Sequence, residues 1–237
     1  MSNTTNDNLA VLIDADNAQA SPIHELLEEV SRYGTASVKR AYGNWSTPQL
    51  KKWEDKLLAH AIKPVHQLDY TKGKNATDIA LIIDAMDLLH TGNLDGFCLV
   101  SSDSDFAPLA TRLKEAGLMV YGFGEKKTPK AFVAACDKFI YTEILKPQKE
   151  RPAKEKAKQP SPRKKLLEAI DKSTQDDGWA HLGNVGTMLL KNDPAFDSRN
   201  YGFRKLVELV KAQSYLEVKK VTIESGSGGS TILVRVK

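Results

Sequence analysis

Aspartates follow two apolar stretches of this chain, and another aspartate lies near the start of a segment with a helical pattern. Their side chains could bind a metal ion. They are Asp14, Asp16, Asp78, Asp103 and Asp105. The apolar stretches at 9–13 and 97–100 have the composition of buried strands, and acids follow each of them closely. Because the carboxyl ends of parallel strands lie at one edge of an α/β sheet, we expect these acids to lie close together.

Carboxylates gathered at one point repel one another unless a cation neutralises them, and Mg²⁺ and Mn²⁺ prefer oxygen ligands. We therefore predict a site for Mg²⁺ or Mn²⁺ in which Asp14, Asp78 and Asp103 hold the ion. Asp105 is predicted to bind the ion or to orient a water molecule, with helix capping as its alternative role. Asp16 could either bind the ion or cap the next loop.

Divalent ions on carboxylates chiefly serve phosphoryl chemistry, so groups that hold a polyanion are expected nearby. Asn17 is a candidate to orient Asp14 or to contact phosphate. Basic and aromatic candidates for RNA binding occur in loops at the same predicted edge, and they are Arg40, Tyr42, Trp45, Lys72 and Lys74. Tyr42 and Trp45 could stack on unpaired bases, or they could be packed residues of the scaffold.

Strand and helix signals alternate through the first 145 residues. Strands are predicted near 9–13, 36–42, 61–68, 96–101, 118–124 and 138–145. Pro64 indicates that the third strand lies at a sheet edge. A long helix is predicted over 75–91, with Asp84 expected to face solvent. This alternation predicts a parallel sheet with helices on both faces.

Composition changes sharply after residue 146. Residues 147–165 contain eight Lys and Arg residues against two Glu residues, whereas residues 1–146 contain 16 Lys and Arg against 19 Asp and Glu. The segment 147–164 also contains four prolines and no apolar residue larger than alanine. We predict a flexible basic linker there, of a kind that often contacts polyanions.

Residues 165–237 have the pattern of a second, smaller unit. Three amphipathic segments are predicted to be helices, the second ending at Pro194 and the third spanning 200–213. Two strands joined by a Gly/Ser-rich turn follow. Helices followed by a hairpin predict a small winged-helix-like α+β domain.

Several other classes of protein are disfavoured by the sequence. It contains no apolar run long enough to span a bilayer, and its N-terminus lacks the features of a secretory signal. Cys98 and Cys136 are far apart, which favours a reducing, cytoplasmic location. The phosphate-binding pattern G-x-x-x-x-G-K-[ST] and the nucleophile pattern G-x-S-x-G are both absent.

The stretches VLIDADNA, KNATDIALIIDAMDLL and LVSSDSDFAPLATRLKEAGLMVYGFG resemble the NYN domain family, a branch of the PIN-like nucleases. The last stretch looks like the bacterial LabA-like group. The resemblance assigns residues 8–146 to a Rossmann-like (PIN-like) domain and implies a metal-dependent endoribonuclease site. It carries over to Asp14, Asp78, Asp103 and Asp105, with Asn17 and Ser101 as supporting groups.

The stretch DPAFDSRNYGFRKLVELVKAQSYLEVKK is similar to the OST-HTH or LOTUS domain, a winged-helix-like module associated with RNA and protein partners. The resemblance covers the unit at 165–237. Its candidate RNA contacts are Arg199, Tyr201, Arg204 and Lys205. Tyr201 and Phe203 could instead belong to the core.

These observations lead to three hypotheses of function. The first is an Mg²⁺- or Mn²⁺-dependent endoribonuclease acting on single-stranded RNA, with the C-terminal domain binding RNA or a protein partner. The second is a non-catalytic RNA-binding adaptor. The third is a metal-dependent small-molecule phosphatase, with Asp14 as nucleophile and Asp16 as acid/base. No membrane partner is expected, and the sequence leaves a homodimer open.

Overall fold

The computed structural model describes residues 7–67, 76–145, 161–222 and 230–237. The chain divides into two compact units, residues 1–149 and residues 150–237. The boundary falls inside the basic segment that the sequence predicts to be a linker, most of which lies outside the described residues. Within the described ranges, no helix combines the length and hydropathy that crossing a bilayer requires.

Six strands of the first unit form an all-parallel sheet in the order β3-β2-β1-β4-β5-β6. The strands are β1 (Asn8–Asp14), β2 (Thr35–Gly43), β3 (Lys63–His66), β4 (Gly96–Val100), β5 (Met119–Gly124) and β6 (Lys138–Tyr141). The predicted parallel sheet is thus confirmed, and Pro64 lies in an edge strand, where its missing N–H group costs no ladder hydrogen bond.

Helices connect these strands. They are α1 (Ile23–Val30), α2 (Glu54–Ala59), α3 (Ala76–Thr91), α4 (Ala107–Glu115) and α5 (Lys130–Ala135). The strand order runs outward from β1 in one direction and outward from β4 in the other. Since crossovers between parallel strands are right-handed, the helices of the two halves cover opposite faces of the sheet.

The centre of the sheet determines where a site can form. β1 pairs with β2 on one side and with β4 on the other, and its residues Leu9–Ile13 are fully buried. Burial of each such aliphatic side chain contributes about 1.5–3 kcal/mol to stability, which fixes the register of the central strands. The connections leave β1 and β4 in opposite directions, so a crevice opens between their carboxyl ends.

In the described part of the second unit, residues 161–222 and 230–237, three α-helices pack against a small antiparallel sheet. The helices are α6 (Arg163–Asp171), α7 (Leu182–Asn192) and α8 (Leu206–Lys211), and the strands are β7 (Ala180–His181), β8 (Leu216–Thr222) and β9 (Ser230–Val236), in the order β7-β9-β8. Leu166, Val185, Leu209 and Val234 belong to its buried core. The predicted helix-and-antiparallel-sheet domain is confirmed, with the short strand β7 in addition, while the predicted Gly/Ser-rich turn lies largely outside the described residues.

The third predicted helix of this unit is shorter than the sequence indicates. A single 3₁₀ turn covers Ser198–Tyr201, and the α-helix begins only at Leu206. Gly202, which follows the turn, has φ +86°, a left-handed conformation that breaks the helical path. The apolar spacing of Phe203 with later residues therefore reflects packing on the core rather than a continuous helix.

Candidate functional site

Asp14 ends β1 and is the buried centre of the acidic edge. Its side chain is fully buried, and two neighbours donate hydrogen bonds to the same oxygen: Ser101 Oγ lies 2.7 Å and Asn17 Nδ2 lies 2.9 Å from Asp14 Oδ2. The Asn17 backbone N–H donates to Oδ1 at 3.3 Å. Burial raises the pKa of Asp14, and these hydrogen bonds oppose the rise only in part.

Ser101 links Asp14 to the acids that follow β4. Its hydroxyl donates to Asp14 and also accepts a hydrogen bond from the Asp103 backbone N–H at 3.0 Å. Asp103 Oδ1 in turn accepts from the Asp105 N–H at 2.9 Å, so Asp103 caps the 3₁₀ turn Ser104–Phe106. Asp103, rather than Asp105, therefore has the capping role that the sequence left open for Asp105.

Asp78 comes to this edge from the first turn of α3. It is buried, and its pKa is raised to about 6. Burial is the largest cause, followed by repulsion from four other carboxylates, which are Asp14, Asp103, Asp105 and Asp16. The three sequence stretches that carry the predicted acids therefore meet at one end of the sheet, close enough to interact electrostatically.

The acids provide the donor chemistry for a hard divalent cation. All five offer carboxylate oxygens, and their mutual repulsion leaves negative charge that a cation would neutralise. Among the described residues, however, no three His, Cys, Asp or Glu side chains form a group that could hold a metal ion as they stand. The edge thus fits Mg²⁺ or Mn²⁺ by chemistry and charge, but it is not a preformed coordination shell.

A hydrogen bond that the sequence does not predict joins two parts of this edge. Thr77 Oγ1 donates to Asp16 Oδ2 at 2.9 Å. Nothing local in the sequence indicates that Thr77 has a partner 61 residues away. Its position beside Asp78, at the start of a helix that leads from the acidic edge, is the one signal that could have pointed to it.

Arg40 and Tyr42, two of the predicted RNA contacts, direct their side chains to a residue of α3. Both lie on β2 and both hydrogen-bond to the carboxylate of Asp84 in α3. Tyr42 is fully buried and its pKa is raised, first by burial and then by its bond to Asp84. A buried ring offers no face to a base, so these two residues anchor α3 on the sheet.

The contacts of Arg40 and Tyr42 with Asp84 also correct the expectation that Asp84 faces solvent. Asp84 does not face solvent, since its side chain is 23% exposed and forms an ion pair with Arg40. Leaving Arg40 without that partner would place an uncompensated charge in a half-buried position. The cluster therefore fixes the middle of α3, while Thr77 and Asp16 connect its first turn to the loop after β1.

The other predicted RNA contacts are placed in different ways. Trp45 is partly buried against the core and donates from Nε1 to the Val65 carbonyl at 2.9 Å. Lys72 and Lys74 lie outside the described residues. In the second unit, the Arg199 guanidinium forms two hydrogen bonds to Asp197, of 3.0 and 2.7 Å. Tyr201 packs against Phe196, as its alternative core role requires.

Arg204 and Lys205 remain exposed, in the segment just before α8. Their backbone N–H groups both donate to the Glu208 carboxylate, at 3.0 and 3.4 Å, which fixes the start of the helix. Their side chains are thus the accessible members of the predicted C-terminal set.

The sheet order and the acidic edge together define the first unit as a PIN-like α/β domain. Residues 8–145 match the sequence profile of the NYN domain, and the chain belongs to that family. Residues 158–227 match the profile of the OST-HTH/LOTUS domain, so a domain of this kind follows the NYN domain.

Several solved structures are similar to parts of this chain. A protein of unknown function from Vibrio parahaemolyticus is 18% identical, covers 59% of this chain and 94% of its own, and has a TM-score of 0.47. An uncharacterised protein from Nitrosomonas europaea is 38% identical over 39% of this chain and 85% of its own, with a TM-score of 0.32. A Chromobacterium violaceum protein is 34% identical over 33% and 84%, with a TM-score of 0.27. Comparison with curated proteins gave no significant match.

Proposed function

We propose that this protein is a metal-dependent endoribonuclease that cleaves single-stranded RNA. The observation that carries the proposal is the buried Asp14 sharing one sheet edge with Asp78, Asp103 and Asp105. Membership of the NYN family, a branch of the PIN-like nucleases, supports the same reading. Carboxylates that repel one another favour binding of a divalent cation. Such a cation can polarise the phosphate group of RNA for phosphodiester hydrolysis.

Each residue of the edge has a distinct role in this proposal. Asp14, Asp78 and Asp103 would hold Mg²⁺ or Mn²⁺, and Asp105 would bind it or orient a water molecule. Bound there, the ion supplies polarisation of the phosphate and activation of water. Asn17 and Ser101 keep the Asp14 carboxylate in one orientation through their hydrogen bonds to Oδ2.

The first test is cleavage by the purified full chain of labelled single-stranded RNA, double-stranded RNA and single-stranded DNA. We expect cleavage of single-stranded RNA with Mn²⁺ or Mg²⁺ and a loss of at least about 100-fold with chelator, because the charge of the phosphate would then be unopposed. Cleavage that is unchanged by chelator would contradict the proposal. RNA binding without cleavage under any metal would indicate the adaptor, and turnover of a phosphomonoester alone would indicate the phosphatase.

We further infer that the C-terminal domain binds the RNA substrate. Arg204 and Lys205 are exposed neighbours on the segment that leads into α8, and they are available for phosphate contacts. The match to the OST-HTH/LOTUS domain supports this role. A protein partner at the same domain is the alternative.

Replacing Arg204 and Lys205 together by Ala is expected to weaken RNA binding about 3- to 10-fold at low salt. Each lost phosphate contact should also lower the salt dependence of binding, by about 0.7 in the logarithmic slope for a single strand. Fluorescence anisotropy at several salt concentrations measures both. The matched control replaces Lys191 and Lys211, two exposed lysines of the same domain, and should bind as the wild type does. Equal affinities for the two double variants would reject the assignment.

A further inference from the structure

Thr77 is a buried polar residue that the proposed chemistry does not yet use. It is 6% exposed, and it immediately precedes Asp78 in the first turn of α3. Its hydroxyl donates a 2.9 Å hydrogen bond to Asp16 Oδ2, whereas Asp16 itself is an exposed residue. A buried donor therefore holds an exposed carboxylate that would otherwise be free to rotate into solvent.

The Asp16 carboxylate lies next to the carboxyl end of β2. Asp16 Oδ1 lies so close to the end of β2 that a Cβ atom added at Gly43 would be 3.3 Å from it. The loop that carries Asp16 is itself fixed on the sheet, since the Ala15 N–H donates to the Tyr42 carbonyl at 2.9 Å. Asp16 thus lies near the end of β2, and Thr77 holds its Oδ2 atom by a hydrogen bond.

The same hydrogen bond acts on the position of Asp78. It connects the first turn of α3 to the loop after β1, which also carries Asp14. Further along α3, Asp84 is bonded to Arg40 and Tyr42. Within the part of the chain that the structure describes, α3 is thus bonded at its middle to β2 and at its first turn, through Thr77, to the loop that carries Asp14.

We propose that Thr77 is a positioning residue of the cation site, whose hydroxyl holds Asp16 as a fifth carboxylate of the site and keeps the start of α3 against the loop after β1. The inference rests on the proposed function, because it assumes that the acidic edge binds a divalent ion. Partners that orient carboxylate ligands are typically worth 10- to 100-fold in metal affinity, so loss of this hydroxyl should weaken binding measurably.

The test is Mn²⁺ binding to the full chain, measured by titration calorimetry without RNA. Thr77→Val keeps the shape of the side chain but removes the donor, and we expect it to weaken Mn²⁺ binding about 10-fold. Thr77→Ser keeps the hydroxyl and should bind within about twofold of the wild type. Thr91→Val is the matched control at the other end of α3, where the Thr91 hydroxyl donates to the Asp87 carbonyl of its own helix.

A double-mutant cycle separates positioning of Asp16 from a general effect on the fold. Asp16→Ala should weaken Mn²⁺ binding, and adding Thr77→Val to it should cause little further loss, because the acceptor is already absent. If Thr77→Val binds Mn²⁺ as tightly as Thr77→Ser while Asp14→Asn loses binding, the inference alone fails. If the wild-type chain binds no Mn²⁺ and cleaves no RNA, the inference and the proposed function fail together.

Discussion

Asp14→Asn is expected to lower the rate of RNA cleavage by at least about 100-fold and to leave the fold intact. The asparagine has the same size, and its oxygen can still accept the hydrogen bonds of Ser101 and Asn17 that now end on Asp14 Oδ2. What it lacks is the negative charge at the buried centre of the site. Loss of one preorganised electrostatic group typically costs about 10²–10³ in rate.

Single-turnover cleavage of single-stranded RNA with Mn²⁺ measures this effect. Circular dichroism and thermal unfolding check that the variant is folded. Asp87→Asn, an exposed aspartate on α3 away from the acidic edge, is the matched control and should retain wild-type activity. Equal cleavage by the wild type and Asp14→Asn, after removal of contaminating nucleases, would show that the observed activity does not belong to this site.

Asp78→Asn is expected to make the metal-free protein more stable at neutral pH. The pKa of Asp78 is raised from 3.8 to about 6, chiefly by burial and then by four neighbouring carboxylates. The unfolded chain therefore loses this proton at a lower pH than the folded protein does. As pH rises from about 4 to about 6, this carboxyl lowers the free energy of unfolding, and the full penalty persists above pH 6.

The size of the effect follows from the same shift. Two pKa units correspond to about 3 kcal/mol, and relaxation of the site reduces this, so we expect a gain of about 1–3 kcal/mol for Asp78→Asn at pH 7 to 8. Urea unfolding in chelator between pH 4 and pH 8 measures the gain and its disappearance in acid. Asp87→Asn should show neither. A variant that is less stable than the wild type at pH 7, with an unchanged pH dependence, would contradict the assigned repulsion.

The response of Asp78→Asn to Mn²⁺ distinguishes the effect of this residue on folding stability from its role in metal binding. Mn²⁺ should stabilise the wild-type protein by mass action, whereas Asp78→Asn should gain less from the ion. A residue that destabilises the protein when its ligand is absent is typical of a binding site. We therefore expect Asp78→Asn to unfold at a higher free energy than the wild type without metal and to be stabilised less by Mn²⁺.

The acidic edge could be predicted from sequence because its signals are local. Apolar stretches that end in aspartates, and a helical repeat beginning near Asp78, place acids at strand and helix ends by simple chain geometry. The order of strands then brings those ends together. The residues that hold the acids in place could not be predicted in the same way, because Ser101 lies 87 residues from Asp14. The sequence indicated Ser101 only through family resemblance.

Arg40 and Tyr42 show why the side-chain contacts between distant elements could not be predicted from the sequence. On β2 they alternate with small or polar residues, a pattern equally compatible with an exposed basic strand end and with a buried polar contact. The deciding partner is Asp84, 44 residues away from Arg40 on a helix whose rotation the apolar spacing does not fix closely. In the C-terminal domain, similarly, the left-handed Gly202 interrupts a helix whose apolar periodicity continues past it.

The pairing of β1 with β4 also determines when the site can exist during synthesis. Asp14 leaves the ribosome before the residue whose hydroxyl holds it, because Ser101 is translated 87 positions later. Between them the chain must produce β2, β3 and α3 before the central ladder can close, and such long-range parallel pairing is slow compared with local helix formation. A nascent chain that has emerged from the exit tunnel only as far as α3 therefore carries Asp14 without β4 and without the Ser101 hydroxyl.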